Sequence, residues 1–480
     1  MALEVTVQSQ RVAGHHGGTI GAGRLPEGAV PVPDRPATFV RSSAALYLKS
    51  RTKEGHDMPS LRSILVVIDT LDDNGSLRWV HRLSSLWLKA GCGVDYLSFK
   101  YGVDGRRLMP PAGATLTYGD SRVRRFRKAL PGALLRSLRV VAAADVVLVI
   151  SEVGMSVPLA YGMTRVTRRP FVVYVQSIAD YSHALYLPRW LQPIWRFCIR
   201  HADAVLCVST GSAEAAKRIG VSPAKITIAT TGIDVDAVRR SALPEAGAQA
   251  PRTTQQSLVA CGELQPHKGY DILIRALARV HETGRRVGLV LIGRGPEETA
   301  LRRLADDLGV ADAVTFTGHM RNPLPEISRG AAFVHPARVE AVGTVLLEAI
   351  ALGVPTIAAD CEAGGPGMVL GGGRYGQLVE PESVQALAEA ICAHLDDPAQ
   401  LARRAGQAEP HLRESFSADR TAATILEVFC RAAGASRRVR RGHGVLRSAS
   451  RLIPRSVGRF RPRTGRPDLI PDRCDETGGR

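Results

Sequence analysis

The chain has 480 residues and a formal net charge of +18 at pH 7, and 45% of its residues are hydrophobic. This content is enough for large cores and excludes a chain that is disordered throughout, while the length predicts two to four domains. None of the eight cysteines forms a C-x-x-C pair, which argues against a zinc ribbon or a redox motif and indicates small core residues in a reducing compartment.

Residues 1–60 are polar and rich in glycine and proline, and they show no sustained periodicity. We expect this segment to be disordered. It contains no apolar h-region of the kind found in signal peptides, and the longest nearly apolar run, residues 140–150, is too short to span a bilayer. The sequence therefore predicts a cytoplasmic protein.

Short apolar runs alternate with amphipathic stretches from residue 61 onward, and this order predicts an α/β fold. Many of the runs lack period-two alternation, as expected for strands that are buried on both faces. We predict a first unit over residues 61–241, a linker over 242–256 and a second unit over 257–412. The clearest predicted strands are residues 63–68, 144–150, 171–175, 204–208, 257–260, 287–292 and 332–335.

Residues 121–141 form a basic stretch inside the first unit, with seven cationic side chains and no acid. Apolar residues recur along it with interrupted helical spacing, which suits a surface helix that lies on anionic lipid. A solvated basic helix face explains the pattern equally well. Nucleic acid is a weaker alternative because only 5% of the residues are aromatic and no nucleic-acid motif is present.

A lysine and two glycines follow predicted strands of the second unit. Lys268 comes after the strand that ends near residue 260, where a lysine can reach a phosphate; an exposed loop lysine is the alternative. Gly293 and Gly295 follow the next strand in the pattern G-x-G-P, which resembles a dinucleotide-binding turn only weakly because the third glycine is missing.

The stretch EAVGTVLLEAIALGVPTIAAD, residues 340–360, places two glutamates around an apolar segment. Its spacing predicts a loop, a helix with Thr344 as a candidate N-cap, a turn at Gly353 and a buried strand. Glu340 then precedes a helix N-terminus, which suits a phosphate, and Glu348 lies about one turn further, where a carboxylate can accept hydrogen bonds from a diol. The spacing alone also allows an alternative in which neither glutamate binds a ligand. Glu340 would then be an acidic residue of the first helical turn, and Glu348 a solvated residue on the helix surface.

The chain ends in a predicted amphipathic helix and a basic tail. We expect the helix over residues 413–434, with Ser417 and Asp419 as candidate caps. The tail, residues 435–480, is rich in arginine, glycine, serine and proline, and we expect it to be disordered. From residue 436 onward it has thirteen arginines and four acids, which is about half of the net charge of the chain.

Taken in order, these motifs resemble the retaining glycosyltransferases of family 4, also called glycosyl transferases group 1. The family pattern is G-R-L, K-G-x-D-x-L-I-x-A, G-x-G-P, an f-x-G loop and a segment that contains E-x₇-E. The resemblance covers about residues 61–430 and is strongest over 258–390. Here the pattern reads GEL at 262–264, KGYDILIRA at 268–276, GRGP at 293–296, FTGHM at 316–320 and PARVEAVGTVLLEAIALGVPTIAAD at 336–360.

The resemblance implies a GT-B fold, with two Rossmann-like domains that face a central cleft and a C-terminal helix that packs back on the N-terminal domain. It also implies a donor site in the second domain. There Glu340 would contact the donor sugar, Glu348 would bind the ribose hydroxyls, and Lys268 would neutralise the pyrophosphate leaving group. The other donor-binding residues that it implies are Gly343, Thr344, Val345, Gly293, Gly295 and, near the nucleobase, His319.

The chain departs from the family pattern at the donor phosphate and on the acceptor side. Glu263 stands where the family usually has an arginine, and a carboxylate there repels a diphosphate. Either another cation substitutes, with Arg294 or His267 as the nearby candidates, or donor binding is weak. Gln176 takes the place of a histidine that often lies near the reacting sugar, and we interpret His183 as a loop histidine. The acceptor-side residues that the resemblance implies are Asn74, Gly75, Ser76 and Gln176, of which the first three match a Gly-Gly loop only in part.

The resemblance implies transfer of a sugar from a nucleoside diphosphate sugar to an acceptor with retention of configuration, without a metal or another cofactor. The basic stretch 121–141 and the arginine-rich tail add an anionic membrane surface as a partner. They favour a glycan or lipid-linked acceptor in envelope or polysaccharide synthesis at the inner face of the plasma membrane. Glu263 and Gln176 leave open a non-catalytic GT-B protein that binds a sugar nucleotide, and a sugar-nucleotide epimerase is a further alternative.

Overall fold

The computed structural model describes residues 61–71, 75–99, 107–118, 126–243 and 256–442, without the side chains of 126–133 and 436–442. Several predictions of the sequence analysis lie outside these ranges. They concern the segment 1–60, Asn74, the start of the basic stretch, most of the linker 242–256 and the tail beyond residue 442.

The first half of the described chain folds around a parallel sheet. The strands are β1 Ser63–Ile68, β2 Gly93–Ser98, β3 Thr115–Tyr118, β4 Val146–Val149, β5 Phe171–Val175, β6 Ala204–Cys207 and β7 Ile226–Ile228, in the spatial order β3-β2-β1-β4-β5-β6-β7. The helices are α1 Gly75–Lys89, α2 Phe126–Ala143, α3 Ser156–Thr167, α4 Ala179–Tyr186, α5 Gln192–Arg200, α6 Thr210–Arg218 and α7 Val235–Ser241. Alternate residues of β1 enter two different cores, Ile64 and Val66 one of them and Leu65 and Val67 the other, so both faces of this sheet are covered.

The second half folds around another parallel sheet. Its strands are β8 Ser257–Cys261, β9 Gly288–Ile292, β10 Val314–Gly318, β11 Ala332–His335, β12 Thr356–Ala359 and β13 Gln377–Val379, in the spatial order β10-β9-β8-β11-β12-β13. The helices are α8 Tyr270–Glu282, α9 Glu298–Asp307, α10 Leu324–Ile327, α11 Thr344–Ala351, α12 Gly365–Val369, α13 Val384–Asp396, α14 Pro398–Gly406, α15 Glu409–Ser415 and α16 Ala418–Gly442. Single 3₁₀ turns lie at Pro223–Lys225, Pro266–Lys268 and Ala311–Ala313.

The order of the strands reverses once in each sheet, between β1 and β4 in the first and between β8 and β11 in the second. In open parallel sheets a ligand binds at such a reversal, outside the carboxyl ends of the strands. The loops that follow β8 and β11 contain Lys268 and Glu340. The topology therefore brings the two predicted catalytic residues to the same edge of the second sheet.

The last helix, α16, connects the end of the chain to the first half. The indole Nε1 of Trp87 on α1 donates to the Ala422 carbonyl at 3.2 Å, and the rings of Trp87 and Phe429 lie 5.4 Å apart. The Thr421 hydroxyl donates to the Thr230 carbonyl at 2.9 Å. These contacts confirm the predicted C-terminal helix that packs back on the N-terminal domain. Within the described ranges, no helix combines the length and the hydropathy needed to cross a bilayer.

All seven predicted strands are confirmed, with small changes at their ends, and so is the turn at Gly353. The prediction that Thr344 caps its helix is wrong, because Gly343 is the N-cap residue and Thr344 begins the helix. Ser417 is confirmed as a cap, since its hydroxyl accepts from the Arg420 N–H at 3.3 Å. The last helix differs from the predicted 413–434: it begins at Ala418 and reaches Gly442, eight residues into the segment predicted to be a disordered tail.

Candidate active site

Hydrogen bonds and an ion pair connect the loop after β8 to the loop after β11. Arg338 donates from its backbone N–H to the His267 carbonyl at 2.8 Å, and its guanidinium binds both carboxylate oxygens of Asp271 at 2.8 Å. Gly269 has φ of +69°, and a Cβ at this position would lie 2.1 Å from the Pro336 carbonyl oxygen. Glycine is therefore required for the close approach of the two loops.

This approach brings Lys268 to Glu340. The Lys268 Nζ lies 2.6 Å from the Glu340 Oε2, and the two side chains are 20% and 14% exposed. The Nε2 of His335, the last residue of β11, lies 3.2 Å from the same oxygen. Because a carboxylate only accepts, Nε2 of His335 carries the proton and donates it to this hydrogen bond.

The cluster keeps Glu340 ionised. Burial alone raises the pKa of Glu340, but the Lys268 ammonium and the hydrogen bond from His335 together lower it well below its ordinary value. Burial also lowers the pKa of His335, so its ring is neutral near pH 7. The cluster thus consists of a cation, an anion and a neutral donor, and its net charge is close to zero.

The start of α11 lies beside Glu340. Gly343 is the N-cap, and a Cβ on it would lie 3.2 Å from the Glu340 Cγ. The N–H groups of Thr344 and Val345 have no partner within the helix, as at any helix N-terminus, so they can bind an anion. Glu348 lies one turn further on the face of Thr344, and burial raises its pKa to about 7 although the guanidiniums of Arg78 and Arg82 oppose this shift.

The G-x-G turn is closely packed against the loop after β8. A Cβ on Gly293 would lie 1.8 Å from the Gly262 carbonyl oxygen, and one on Gly295 would lie 2.3 Å from that of Leu264. The two glycines thus shape this loop, and a direct contact to the donor stays a prediction. His319 follows β10 and is exposed.

The structure also places Gln176 in a buried polar cluster of the first half. Its backbone N–H donates to the carboxylate of Glu152 at 3.3 Å, and the Ser177 hydroxyl donates to the same carboxylate. Burial raises the pKa of Glu152, and the hydrogen bond from Ser177 opposes this shift. The side-chain Nε2 of Gln176 is buried and has no hydrogen-bond partner among the described residues, and its place at the acceptor stays a prediction.

The interpretation of His183 as a loop histidine is wrong. His183 lies in α4, is fully buried and donates from Nε2 to the Glu152 carbonyl at 2.9 Å. A carbonyl accepts only, which fixes this tautomer. Its role is to hold the Glu152 backbone. Gly75 and Ser76 are exposed at the start of α1, and their place at the acceptor stays a prediction.

Side chains of the two halves face each other across the site. The ring of Tyr181 on α4 lies 6.3 Å from that of His267, edge to face. Burial raises the pKa of Tyr186 on the same helix, and the charge of Glu263 raises it further. Arg78 on α1 donates from Nη2 to the Arg321 carbonyl at 3.2 Å, next to His319. Residues of the first half therefore lie next to the loops that contain His267, Glu263 and Arg321.

Several residues of the site escaped the sequence analysis. His335 and Glu152 lie at the end of a strand or in the loop that follows one, and no motif contains them; Arg338 and Asp271 lie inside the motifs at 336–360 and 268–276, but their pairing is not part of the pattern. The signal that could have found them is position, because polar residues after buried strands converge at the edge of a parallel sheet. In the ranges that the structure describes, no group of three or more histidine, cysteine, aspartate or glutamate side chains could hold a metal ion.

Comparison with protein families gives two adjacent matches. Residues 74–237 match the family described as Glycosyltransferase Family 4, and residues 245–411 match the family described as Glycosyl transferases group 1. The two matches together cover both halves of the described fold. The second includes Lys268, Glu340 and Glu348.

Curated relatives are similar over part of their length. The chain is 34% identical over 247 residues to the D-inositol 3-phosphate glycosyltransferase of Gordonia bronchialis, covering 49% of this chain and 53% of the relative. It is 36% identical over 181 residues to the GDP-mannose-dependent alpha-(1-6)-phosphatidylinositol monomannoside mannosyltransferase of Mycobacterium tuberculosis, covering 35% and 46%. The chain thus spans about half the length of the curated relatives that it matches.

A solved structure shares the fold over nearly its full length. The Anabaena protein HepE in complex with UDP and glucose superposes with a TM-score of 0.62 at 18% identity, covering 77% of this chain and 99% of that one. The similarity confirms the predicted architecture of two Rossmann-like domains.

Proposed function

The chain belongs to the glycosyl transferases group 1 family, and we propose on this basis that it transfers a sugar from a nucleoside diphosphate sugar to an acceptor. The observation that carries the proposal is the Lys268–Glu340–His335 cluster beside the N-terminus of α11. A cation and a helix N-terminus at the reversal of a parallel sheet form a site for a leaving diphosphate.

The diphosphate would lie between Lys268 and the start of α11. The Lys268 ammonium has three N–H donors, one of which is directed to Glu340, so the others can bind a phosphate oxygen. The N–H groups of Gly343, Thr344 and Val345 and the dipole of α11 add partial positive charge. Because this charge is held in place before the reaction, it stabilises the negative charge that develops on the leaving group.

The two glutamates would orient the rest of the donor. Glu340 is ionised at neutral pH, so it accepts hydrogen bonds from hydroxyls of the donor sugar. Glu348 accepts from both ribose hydroxyls only as a carboxylate, and its pKa of about 7 makes this contact dependent on pH. His319, Gly293 and Gly295 would border the nucleobase and the phosphates.

We propose that the transfer retains the anomeric configuration. The bond between the anomeric carbon and the phosphate oxygen breaks, and its electron pair goes to the diphosphate. The acceptor hydroxyl bonds to the same face of that carbon, and its proton goes to an oxygen of the departing phosphate. Gln176 does not titrate and cannot take this proton; its amide would instead orient the reacting sugar or the acceptor.

We propose a glycan or lipid-linked acceptor at the inner face of the plasma membrane. An apolar strip leads away from the cleft along α4 and α5, and Trp190 between these helices is 75% exposed. Arginines alternate with the apolar residues, a combination that suits an anionic lipid surface. The strip consists of Leu185, Tyr186, Arg189, Trp190, Ile194, Arg196 and Phe197.

Two further observations support a membrane acceptor. The predicted basic stretch 121–141 is helical from Phe126, and its Leu134 and Leu135 are exposed. The mannosyltransferase of Mycobacterium tuberculosis is named for a phosphatidylinositol monomannoside. An acceptor of similar chemistry would explain an apolar strip that begins at the cleft.

A thermal-shift screen of UDP, GDP, ADP and their common sugar conjugates tests the transferase proposal. A ligand that binds only the folded protein raises its melting temperature. We expect one nucleotide series to raise it in the wild type and not in Glu348→Ala, followed by turnover of the matching sugar nucleotide. Binding without turnover of any donor would favour the non-catalytic alternative, and no shift with any nucleotide would contradict both.

Sedimentation with phosphatidylcholine vesicles, with and without phosphatidylserine, tests the membrane proposal. We expect binding that requires the anionic lipid, weakens with salt and is lost in Trp190→Ser. Leu308→Ser, which changes an exposed leucine of the second half, is the control and should bind normally. Equal sedimentation with neutral and with anionic vesicles, or no sedimentation with either, would contradict the membrane acceptor and leave the transferase proposal in place.

A further inference from the structure

The start of α6 in the first half touches a loop of the second half so closely that no side chain fits between them. Gly211 is the second residue of α6, and a Cβ on it would lie 2.1 Å from the Ala363 carbonyl oxygen and 3.1 Å from the Ala363 Cα. Non-bonded carbon atoms in contact lie about 3.5–4.0 Å apart, and a backbone carbonyl cannot rotate away as a flexible side chain can. Glycine is therefore required at position 211 for the close approach of α6 to the loop that follows β12.

The same loop, residues 361–365, lies against the backbone of Glu340. Gly365 begins α12, and a Cβ on it would lie 2.4 Å from the Glu340 carbonyl oxygen and 2.7 Å from the backbone nitrogen of Val342. The Cys361 thiol donates to the same carbonyl oxygen at 3.9 Å, and burial raises the pKa of this thiol to about 11, so it keeps its proton. The loop thus connects the start of α6 to the backbone of the residue that would contact the donor sugar.

A second contact joins the same part of the first half to the loop after β8. Arg218, the last residue of α6, binds Asp180 on α4, with its Nε 2.7 Å from the Oδ2. The ring of the next residue, Tyr181, lies 6.3 Å from that of His267, which precedes Lys268. The joined helices α4 and α6 therefore contact the second half at the loop that carries Lys268 as well as at the loop that follows β12.

The Glu340 side chain is sensitive to a shift of its own backbone. Its Oε2 already accepts from Lys268 at 2.6 Å and from His335 at 3.2 Å, so a moved backbone would either displace the carboxylate or break these bonds. A misplacement of about 1 Å in a group that orients the substrate can lower the rate roughly a hundredfold. Whatever holds the Glu340 backbone therefore matters for transfer.

We propose that Gly211 is a positioning residue for Glu340. It lets the start of α6 rest on the Ala363 carbonyl, and this contact holds the loop 361–365 against the Glu340 backbone. The inference rests on the proposed donor site, in which Glu340 contacts the donor sugar. It adds that the orientation of this sugar depends on contact between the two halves, so the half that would hold the acceptor also sets the geometry of the donor.

Isothermal titration of the full chain with the nucleoside diphosphate found in the thermal-shift screen and with its sugar conjugate tests this assignment. We expect Gly211→Ala to weaken binding of the sugar conjugate roughly tenfold and binding of the diphosphate less than about threefold, because only the sugar would meet Glu340. The kcat of transfer should fall roughly ten- to a hundredfold. Gly162→Ala is the matched control, since Gly162 is an exposed glycine inside α3 and nothing lies within 4 Å of its Cβ position.

A double-mutant cycle with Glu340→Gln separates positioning from general support of the fold. Where glutamine already replaces the carboxylate, adding Gly211→Ala should weaken binding of the sugar conjugate by less than about a further threefold. Ser209→Ala provides a milder variant, should Gly211→Ala not fold. It removes the α6 cap, a hydroxyl that accepts from the Ser212 N–H at 3.1 Å, and should cause the same selective loss to a smaller extent.

The outcomes separate the two proposals. If the wild type binds the sugar conjugate and Lys268→Met weakens this binding but Gly211→Ala does not, the assignment of Gly211 is wrong and the donor site stands. If Gly211→Ala weakens the conjugate and the diphosphate equally, or keeps its full effect beside Glu340→Gln, it acts through the fold, which also overturns the assignment. If the wild type binds neither ligand, the donor site fails and the assignment fails with it.

Discussion

Single residues of the candidate site are coupled by charge, and Lys268 and Glu340 show this most directly. Replacing Lys268 by methionine keeps the aliphatic part of the side chain but leaves the poorly solvated Glu340 carboxylate without its cation. We expect kcat/KM to fall about 10²- to 10³-fold and the free energy of unfolding at pH 7 to fall by up to about 3–5 kcal/mol. Sugar-transfer assays and urea denaturation measure the two effects.

An exposed ion pair of the same length is the control for this prediction. Lys217 Nζ lies 2.6 Å from Glu214, but the two side chains are 41% and 59% exposed. Lys217→Met should cost less than about 1 kcal/mol. The lowered pKa of Glu340 means that its ion pair stabilises the fold above the ordinary carboxyl pKa and is lost as pH falls below it. The difference between wild type and Lys268→Met should therefore narrow as pH falls below about 4.5, and a difference that stays constant there would contradict the coupling.

Glu348 predicts a pH dependence of donor binding. The pKa of Glu348 is raised from its ordinary value of 4.5 to about 7. In the ligand-free protein this carboxyl group is therefore mostly protonated below pH 7, and it releases its proton as pH rises through 7. Ribose hydroxyls need the carboxylate, so diphosphate affinity should rise about tenfold from pH 6 to pH 8. Titration calorimetry of wild type and Glu348→Gln measures this, with the variant reporting the titration of the phosphate itself. The same slope in both proteins would contradict a role for Glu348.

Donor residues that lie together on one loop or helix can be predicted from the sequence. Lys268 and Gly269 belong to one recognisable motif, and Glu340 and Glu348 belong to another that follows it in the expected order. The sequence does not allow the partners of these residues to be predicted when they come from another element. His335 meets Glu340 from the end of β11, and Arg78 on α1 meets the Arg321 carbonyl in the loop that follows β10. The first contact joins residues five apart, whereas the second depends on packing between segments 243 residues apart along the chain.

Among the elements, the loop after β8 sets the position of Lys268. Gly269→Ala introduces both a strained φ and a Cβ that would lie 2.1 Å from the Pro336 oxygen. Gly284→Ala introduces the strained φ alone, since nothing lies within 4 Å of that Cβ. We expect Gly284→Ala to cost about 1–2 kcal/mol of stability without changing diphosphate affinity, and Gly269→Ala to cost more and to weaken binding at least tenfold. Thermal unfolding and nucleotide titration of the two variants compare them, and equal effects would mean that the loops need no close approach.

The ends of the elements show the limits of the sequence pattern. Thr344 was a reasonable cap by residue type, but the backbone places Gly343 at the N-cap with φ of +78°, a conformation that threonine rarely adopts. The last helix continues to Gly442 although arginines fill its final turns, because arginine is a good helix former. Strand positions were easier to predict, since strands buried on both faces are continuously apolar.

For the whole molecule, α16 determines how the end of the chain is held to the first half. Phe429 on α16 is fully buried against Trp87, and α1 carries Arg78 and Arg82 on another of its faces. Phe429→Ala should therefore lower the free energy of unfolding by about 3–5 kcal/mol through the cavity that it leaves. Calorimetry measures this loss, with the exposed Arg431→Ala on the same helix as control. An unchanged free energy of unfolding in Phe429→Ala would contradict a stabilising contact between α16 and α1.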